Sequence, residues 1–197
     1  MGTYIALRDR RLEGGVPARA GLRIINTNGS TPLGSAFASI NSASRMAGGI
    51  QAMFILCHGY AGSNERARVC IDAGGMGLQL GKEDVLHENV SMWTAIRNRV
   101  KHIIVYSCAA SNTEGGNEGT NADGRYLMGA LAIHTNAYVY AADRIQWYGT
   151  HGGAATGRFE FGQWEGQLLM FPPSGGSPRQ VMGPPVEFSD VMSGTAP

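Results

Sequence analysis

A chain of 197 residues with 43% hydrophobic content suits one domain and can bury a core without covalent staples. Its 16 basic and 15 acidic residues leave a net charge of +1, which gives neither the electrostatic footprint of a nucleic-acid binder nor a polybasic membrane patch. Three cysteines, Cys57, Cys70 and Cys108, are too few and odd in number for a disulfide framework, and they fit a reducing compartment. Residues 1–22 carry Arg8, Arg10, Arg11, Glu13 and Arg19 and no apolar signal core, so the expected location is cytoplasmic, with export by a signal-less route left open.

The elements read in chain order as follows. Residues 1–20 are an N-terminal extension to a domain spanning 21–171. Residues 22–25 form a short strand ending at the turn-prone Asn26-Thr27-Asn28-Gly29. Residues 32–47 form a helix with Pro32 near its first turn. The continuous apolar run 52–57, closed by His58-Gly59, is a strand buried on both faces, as in a parallel sheet. Residues 66–72 and 76–80 flank Gly74-Gly75 as a hairpin. Val90, Trp93, Ile96 and Val100 recur at helical spacing. A second buried strand, 102–106, ends at Ser107-Cys108, and a glycine-rich loop, 113–124, follows it. A helix over 126–135, a third buried strand over 137–141 and short, partly antiparallel strands near 145–148, 158–161 and 167–171 complete the domain. Residues 172–197 are a Pro/Gly/Ser-rich tail. Alternating strands and helices predict a single α/β domain, a mostly parallel sheet with helices on both faces.

In such sheets reactive groups collect at the carboxyl ends of the strands, where His58 and Cys108 stand. If the two strands are parallel neighbours, about 4.8 Å apart, imidazole and thiol come within reach of one another. A thiol attacks only as thiolate, and a nearby histidine favours that form and later protonates the leaving amine. Gly59 lets a substrate carbonyl approach the backbone, and its N–H with that of Cys108 would form an oxyanion hole.

An apolar strand ending in His-Gly, followed about fifty residues later by an apolar strand ending in Cys, resembles the clan CD cysteine peptidases: caspases, metacaspases, legumain, gingipains and clostripain. The resemblance covers roughly residues 20–148. It implies a caspase–hemoglobinase-like fold, His58 as general acid, Cys108 as nucleophile, a protein or peptide substrate hydrolysed through an acyl-enzyme, and no cofactor. A legumain-like orienting asparagine would be Asn26 or Asn28. Ser107, Asp143 and Trp147 fall where such enzymes wall the substrate pocket, Asp143 as a partner for a basic side chain. The sequence departs from the family at two places. Tyr106 stands where caspases and legumain have an acidic or amide residue, and Ala109-Ala110 stand where caspases have a basic residue and glycine. No preference for aspartate is carried over.

Other readings compete. Singly, His58 is a structural histidine and Cys108 a buried thiol; Asp143 is an ordinary turn aspartate; Trp147 and Trp164 are core aromatics. Cys57 and Cys70 read as structural, His102 and His134 as surface or capping residues. His87-Glu88 lacks a second histidine at metalloprotease spacing, so no metal site is expected. Residues 75–82 miss the phosphate-loop spacing. The order Cys108, Asp143, His151 matches an α/β-hydrolase triad, but Tyr106 and Ala110 stand where a nucleophile elbow needs glycines. A caspase-like fold can also serve as a non-catalytic binding or scaffold module. The long 113–125 loop is a candidate for gating or self-processing, with Asp123 and Arg125 as cleavage points.

Overall fold

The computed structural model describes residues 3–60, 74–152 and 157–196. Its centre is a seven-stranded sheet. Five strands are parallel: β1 (Tyr4–Asp9), β2 (Leu22–Thr27), β3 (Ile50–Leu56), β6 (Val100–Tyr106) and β7 (Tyr138–Ala142). Two antiparallel strands, β10 (Leu168–Phe171) and β11 (Arg179–Val181), extend it beyond β7, and the spatial order is β11-β10-β7-β6-β3-β1-β2. The apolar runs expected to be buried on both faces are so: Met53, Phe54, Ile55 and Leu56 are fully covered, as are Ile103, Ile104 and Val105.

Alternation divides these side chains between two cores. On one face Ile5, Leu7, Met53, Ile55, Ile103 and Val105 pack beneath α1 (Leu33–Ala47), a 3₁₀ segment (Val90–Ile96) and α2 (Gly124–Thr135). The spacing of Val90, Trp93 and Ile96 is three residues throughout, which a 3₁₀ helix eclipses on one side, so all three are buried there in place of the α-helix expected. Trp93 meets Phe37 of α1 edge-on at 5.2 Å. Pro32 lies just outside α1, in extended conformation at its N-cap. Asp123 caps α2, its carboxylate accepting from the Tyr126 N–H.

The opposite face is covered differently. A β-ribbon of β8 (Tyr148–His151) and β9 (Arg158–Phe161) and the short helix α3 (Phe188–Ser193) close over Tyr4, Ala6, Phe54, Ile104 and Tyr106. Helices therefore stand on both sides, but the second side is mostly an aromatic layer under a ribbon. Its rings include Phe54 and Phe188 at 5.5 Å and Tyr106 and Phe161 at 4.3 Å.

Two boundaries read from the sequence need correction. Residues 4–9, placed in an extension, form an interior strand between β2 and β3; the run Tyr4-Ile5-Ala6-Leu7 is short, but all four side chains are buried. The tail placed outside the domain contributes β11 and α3, and Phe188 at 2% exposure fills the aromatic layer. The hairpin expected of 66–72 and 76–80 is described only in its second limb. Its first limb, 66–72, lies outside the described residues, and β5 (Leu78–Gln79) pairs with β4 (His58–Gly59).

Candidate functional site

Strands β3 and β6 are parallel neighbours, with Leu56 opposite Tyr106. His58 and Cys108 each stand two residues beyond that pair, at the carboxyl edge. The ladder runs one step further, through a Cys57 N–H to Tyr106 carbonyl contact of 3.4 Å. Gly59 then crosses directly against the Cys108 backbone: a Cβ on it would lie 2.1 Å from the Cys108 carbonyl oxygen and 3.0 Å from the Ser107 hydroxyl. Only a residue without a side chain allows the two strand ends to close in this way. Gly59→Ala should separate them, and we expect a folded protein that has lost mechanism-based labelling of Cys108, read by intact mass with circular dichroism as the control.

The Gly59 amide is left off the neighbouring ladder. Leu78, opposite Gly59, directs both its N–H and its C=O to Val85. By antiparallel alternation Gly59 sits at a non-bonded position relative to β5, so its N–H points away from that strand.

The imidazole of His58 is fixed by a backbone group. Its Nε2 lies 3.2 Å from the Arg11 carbonyl oxygen. A carbonyl can only accept, so Nε2 donates, and it is Nδ1 that is left to exchange a proton. Arg11 is itself held firmly. Its guanidinium is bidentate on Asp9 at 2.8 and 2.9 Å, and it also reaches the Gly81 carbonyl at 2.9 Å and Asp84 at 3.1 Å. Asp9 is fully buried and accepts five hydrogen bonds: three from Arg11, one from the Gly81 N–H and one from the Thr27 hydroxyl. Burial pushes the Asp9 carboxyl up, but the hydrogen bonds from Arg11 and Gly81 and the charge of Arg11 outweigh it, and the group is held below the usual carboxylate range.

Cys108 is half-buried and not disulfide-bonded, and its Sγ lies 3.9 Å from the Gln146 carbonyl. Gln146 is buried, and its amide spends every polar atom on the chain around it, donating to the Arg144 and Glu165 carbonyls and accepting from the Glu165 N–H. Behind the thiol, Ala109 adopts φ +47°, an uncommon conformation for a residue with a side chain, and donates its N–H to the Arg144 carbonyl at 2.8 Å. Gly74 packs tightly against Ala109. The nucleophile candidate thus sits on a braced turn.

The remaining candidates fall as follows. Neither Asn26 nor Asn28 orients His58. Asn26 is two strands away, paired through Arg8 of β1, and Asn28 closes its own turn by accepting from Ser30 and Thr31. The group that holds the His58 ring is the Arg11 carbonyl, a main-chain oxygen that no side-chain pattern marks. Ser107 is 2% exposed beside the Cys57 thiol and does not face solvent. Cys57 is wholly buried, and burial pushes its thiol far up, so it stays protonated. Cys70 lies outside the described residues. Asp143 uses its carboxylate to accept from the Gln167 N–H at 2.8 Å, tying the turn to β10. Trp147, expected in the core, is 75% exposed beside the Gln146 carbonyl that meets Cys108. Trp164 is partly buried and donates to Glu187. His102, expected at the surface, is buried between Tyr138 and Tyr140, and burial lowers its pKa.

Tyr106, the departure two residues before the thiol, is occupied by the C-terminal helix. Its hydroxyl donates to Glu187 at 2.5 Å and accepts from the Phe188 N–H at 3.1 Å. The hydrolase-type triad is not assembled: His151 is exposed on the ribbon near Glu160, and Asp143 faces Gln167. In the 113–125 loop Asp123 is buried, accepting from Thr113, Gly119 and Tyr126, while Arg125 lies in the first turn of α2. Among the described residues no three His, Cys, Asp or Glu side chains are placed to share a metal ion, and no helix is long and apolar enough to cross a membrane.

Compared with known proteins, the chain matches no family model, no curated protein and no solved structure.

Proposed function

We propose that the protein is a caspase-like cysteine endopeptidase acting through Cys108 and His58, with a caspase–hemoglobinase-like version of its α/β fold. The observation that supports the reading is the closure of the two strand ends: His58 and Cys108 each stand two residues beyond the Leu56–Tyr106 pair at the carboxyl edge, with Gly59 pressed against the Cys108 backbone.

The chemistry follows from the parts. Cys108 gives its proton to Nδ1 of His58, and the thiolate attacks the scissile carbonyl carbon. The carbonyl electrons move onto oxygen, where the Gly59 and Cys108 N–H groups receive them. His58 returns the proton to the amine nitrogen as the C–N bond breaks, leaving a thioester on Cys108. Water, deprotonated by His58, hydrolyses the thioester to a carboxylic acid and restores the thiol. The Arg11 carbonyl supports the ring by holding Nε2–H in both halves of the cycle. Trp147, exposed and next in sequence to the Gln146 whose carbonyl meets the thiol, would offer an apolar wall to residues preceding the scissile bond. The substrate class is peptide or protein, and the reaction draws on no cofactor.

The test is intact mass after exposure to peptidyl acyloxymethyl ketones bearing different side chains at the reactive end. One adduct, on Cys108, that disappears in His58→Ala and persists in His151→Ala is the expected result. No adduct from any reagent on a folded protein with a titratable Cys108 thiol would overturn the reading in favour of a binding module.

A further inference from the structure

On the second face of the sheet, beside the ribbon, lies a cavity of about 510 Å³ between the ends of β1 and β2. Arg8, Arg10 and Asn26 supply its polar groups, with Val16 and Ile24 among its apolar walls. Among the described residues no acidic side chain lines it. Asp9, next in sequence to both arginines, is committed to Arg11, Gly81 and Thr27. Arg8 is half-buried, with its guanidinium 5.5 Å from the Phe159 ring centre. Its Nη2 donates to the Leu12 carbonyl at 3.3 Å, while its Nε is buried with no hydrogen-bond partner among the described residues. A partly desolvated guanidinium with a second one beside it, whose neighbouring acid Asp9 is already paired with Arg11, leaves positive charge in excess, and a bound carboxylate balances it.

The position of this cavity relative to the thiol decides which part of a ligand fills it. Arg8 of β1 is level with Leu56 of β3, and Leu56 with Tyr106 of β6, so Arg8 stands two strand spacings from the Cys108 strand and Asn26 three. At about 4.8 Å per spacing this is roughly 10–14 Å, the length of three or four residues of extended chain at about 3.3 Å each. His58, on β4 two residues past the end of β3, follows the strand that separates the Cys108 strand from β1 and the cavity. Because His58 hands its proton to the leaving amine, the peptide on that side runs from the thiol across His58 toward β1.

We propose that the cavity bounded by Arg8, Arg10 and Asn26 is a substrate subsite for an acidic side chain, Asp or Glu, three or four residues beyond the scissile bond on the leaving-amine side. The proposal rests on the peptidase reading of His58 and Cys108. It is distinct from any preference at the residue that is acylated, which contacts the thiol directly.

The experiment uses internally quenched peptides with the best acylated residue found by the labelling panel and a single Asp moved through each leaving-side position. Asp at the third or fourth position should raise kcat/KM about tenfold over Ala, mainly through KM, as a charge-assisted contact would. Arg10→Gln, at an exposed position, should reduce that gain to within twofold, and Arg8→Lys should reduce it partially. Cleavage with no preference at these positions, or a preference unchanged in both variants, overturns the subsite. A second arm separates it from the catalytic reading. Cys108→Ala protein is titrated with the acidic peptide and its Ala counterpart while the arginine Nε–Hε resonances are followed by NMR. A shift of the Arg8 signal with the acidic peptide alone supports the subsite even if wild type cleaves nothing, and no shift overturns it whatever the enzyme cleaves.

Discussion

His58→Ala should lower kcat/KM on the best quenched peptide by about 10³-fold or more, and Cys108→Ala should abolish turnover within detection. Neither change should move the midpoint of urea unfolding far. His58 is half-buried and its side chain, among the described residues, is hydrogen-bonded to a carbonyl that solvent can satisfy, and Cys108 is half-buried at a strand end. The double variant should be no worse than Cys108→Ala alone, because the two groups act on one proton and one carbonyl and their losses do not add. The decisive comparison is the alkylation rate of Cys108 by iodoacetamide against pH. Removal of the imidazole should move the inflection toward that of an ordinary thiol, near 8.5. An unchanged profile and unchanged turnover in His58→Ala would remove the dyad.

Asp9→Ala should be the most destabilising single change near the site. The carboxylate is fully buried and receives five hydrogen bonds, and its loss leaves the Gly81 N–H, the Thr27 hydroxyl and much of the Arg11 guanidinium without their partner. Removing one member of such a pair costs about 3 kcal/mol, with Arg11 spared more by its partial exposure and its contact with Asp84. Chemical denaturation of wild type, Asp9→Ala and Asp9→Asn at neutral pH measures it. The pH dependence carries a definite sign. The folded-state pKa of Asp9 is depressed, so its ionic contribution is fully present above the unfolded value near 4 and is lost as pH falls through the lower folded-state value. The gap between wild type and Asp9→Asn should therefore narrow on acidification. Activity should fall further than stability in both variants, since the Arg11 carbonyl that positions His58 loses its anchor.

The sequence displayed the candidate pair more clearly than its supports. Two apolar runs ending in His58 and Cys108 could be read as parallel strands because burial on both faces leaves no alternation, and the register aligns them. The support is a different matter. The His58 partner is a main-chain oxygen, and every residue has one, so no side-chain pattern marks Arg11. Asn26 was the plausible side-chain substitute, and its place on β2 puts it beyond reach. Strand β1 escaped notice because four apolar residues followed by Arg8 and Asp9 look like the start of a charged extension. Only the sheet shows that Asp9 is buried because Arg11 folds back onto it. Trp147 and His102 exchange the roles their residue types suggest: the large ring is in solvent, and the imidazole is stacked among tyrosines within the sheet. Composition assigns average burial, and position in the strand order overrides it.

The hydrogen bonds around Asp9 span a long stretch of chain: Arg11 lies two residues away, Thr27 eighteen and Gly81 seventy-two. During synthesis the first strand leaves the ribosome with its carboxylate and must wait for Gly81 before that charge is fully satisfied. His58 waits fifty residues, counted from its own position, for the thiol, and the thiol waits for Gln146, whose amide ties residues 144 and 165 together. Contacts of such separation form late in folding. A nascent or prematurely terminated chain would thus hold an imidazole and its carbonyl brace with nothing to activate. On the peptidase reading, chemical competence would arrive only after residue 165 has been made and the Gln146 amide has its partners.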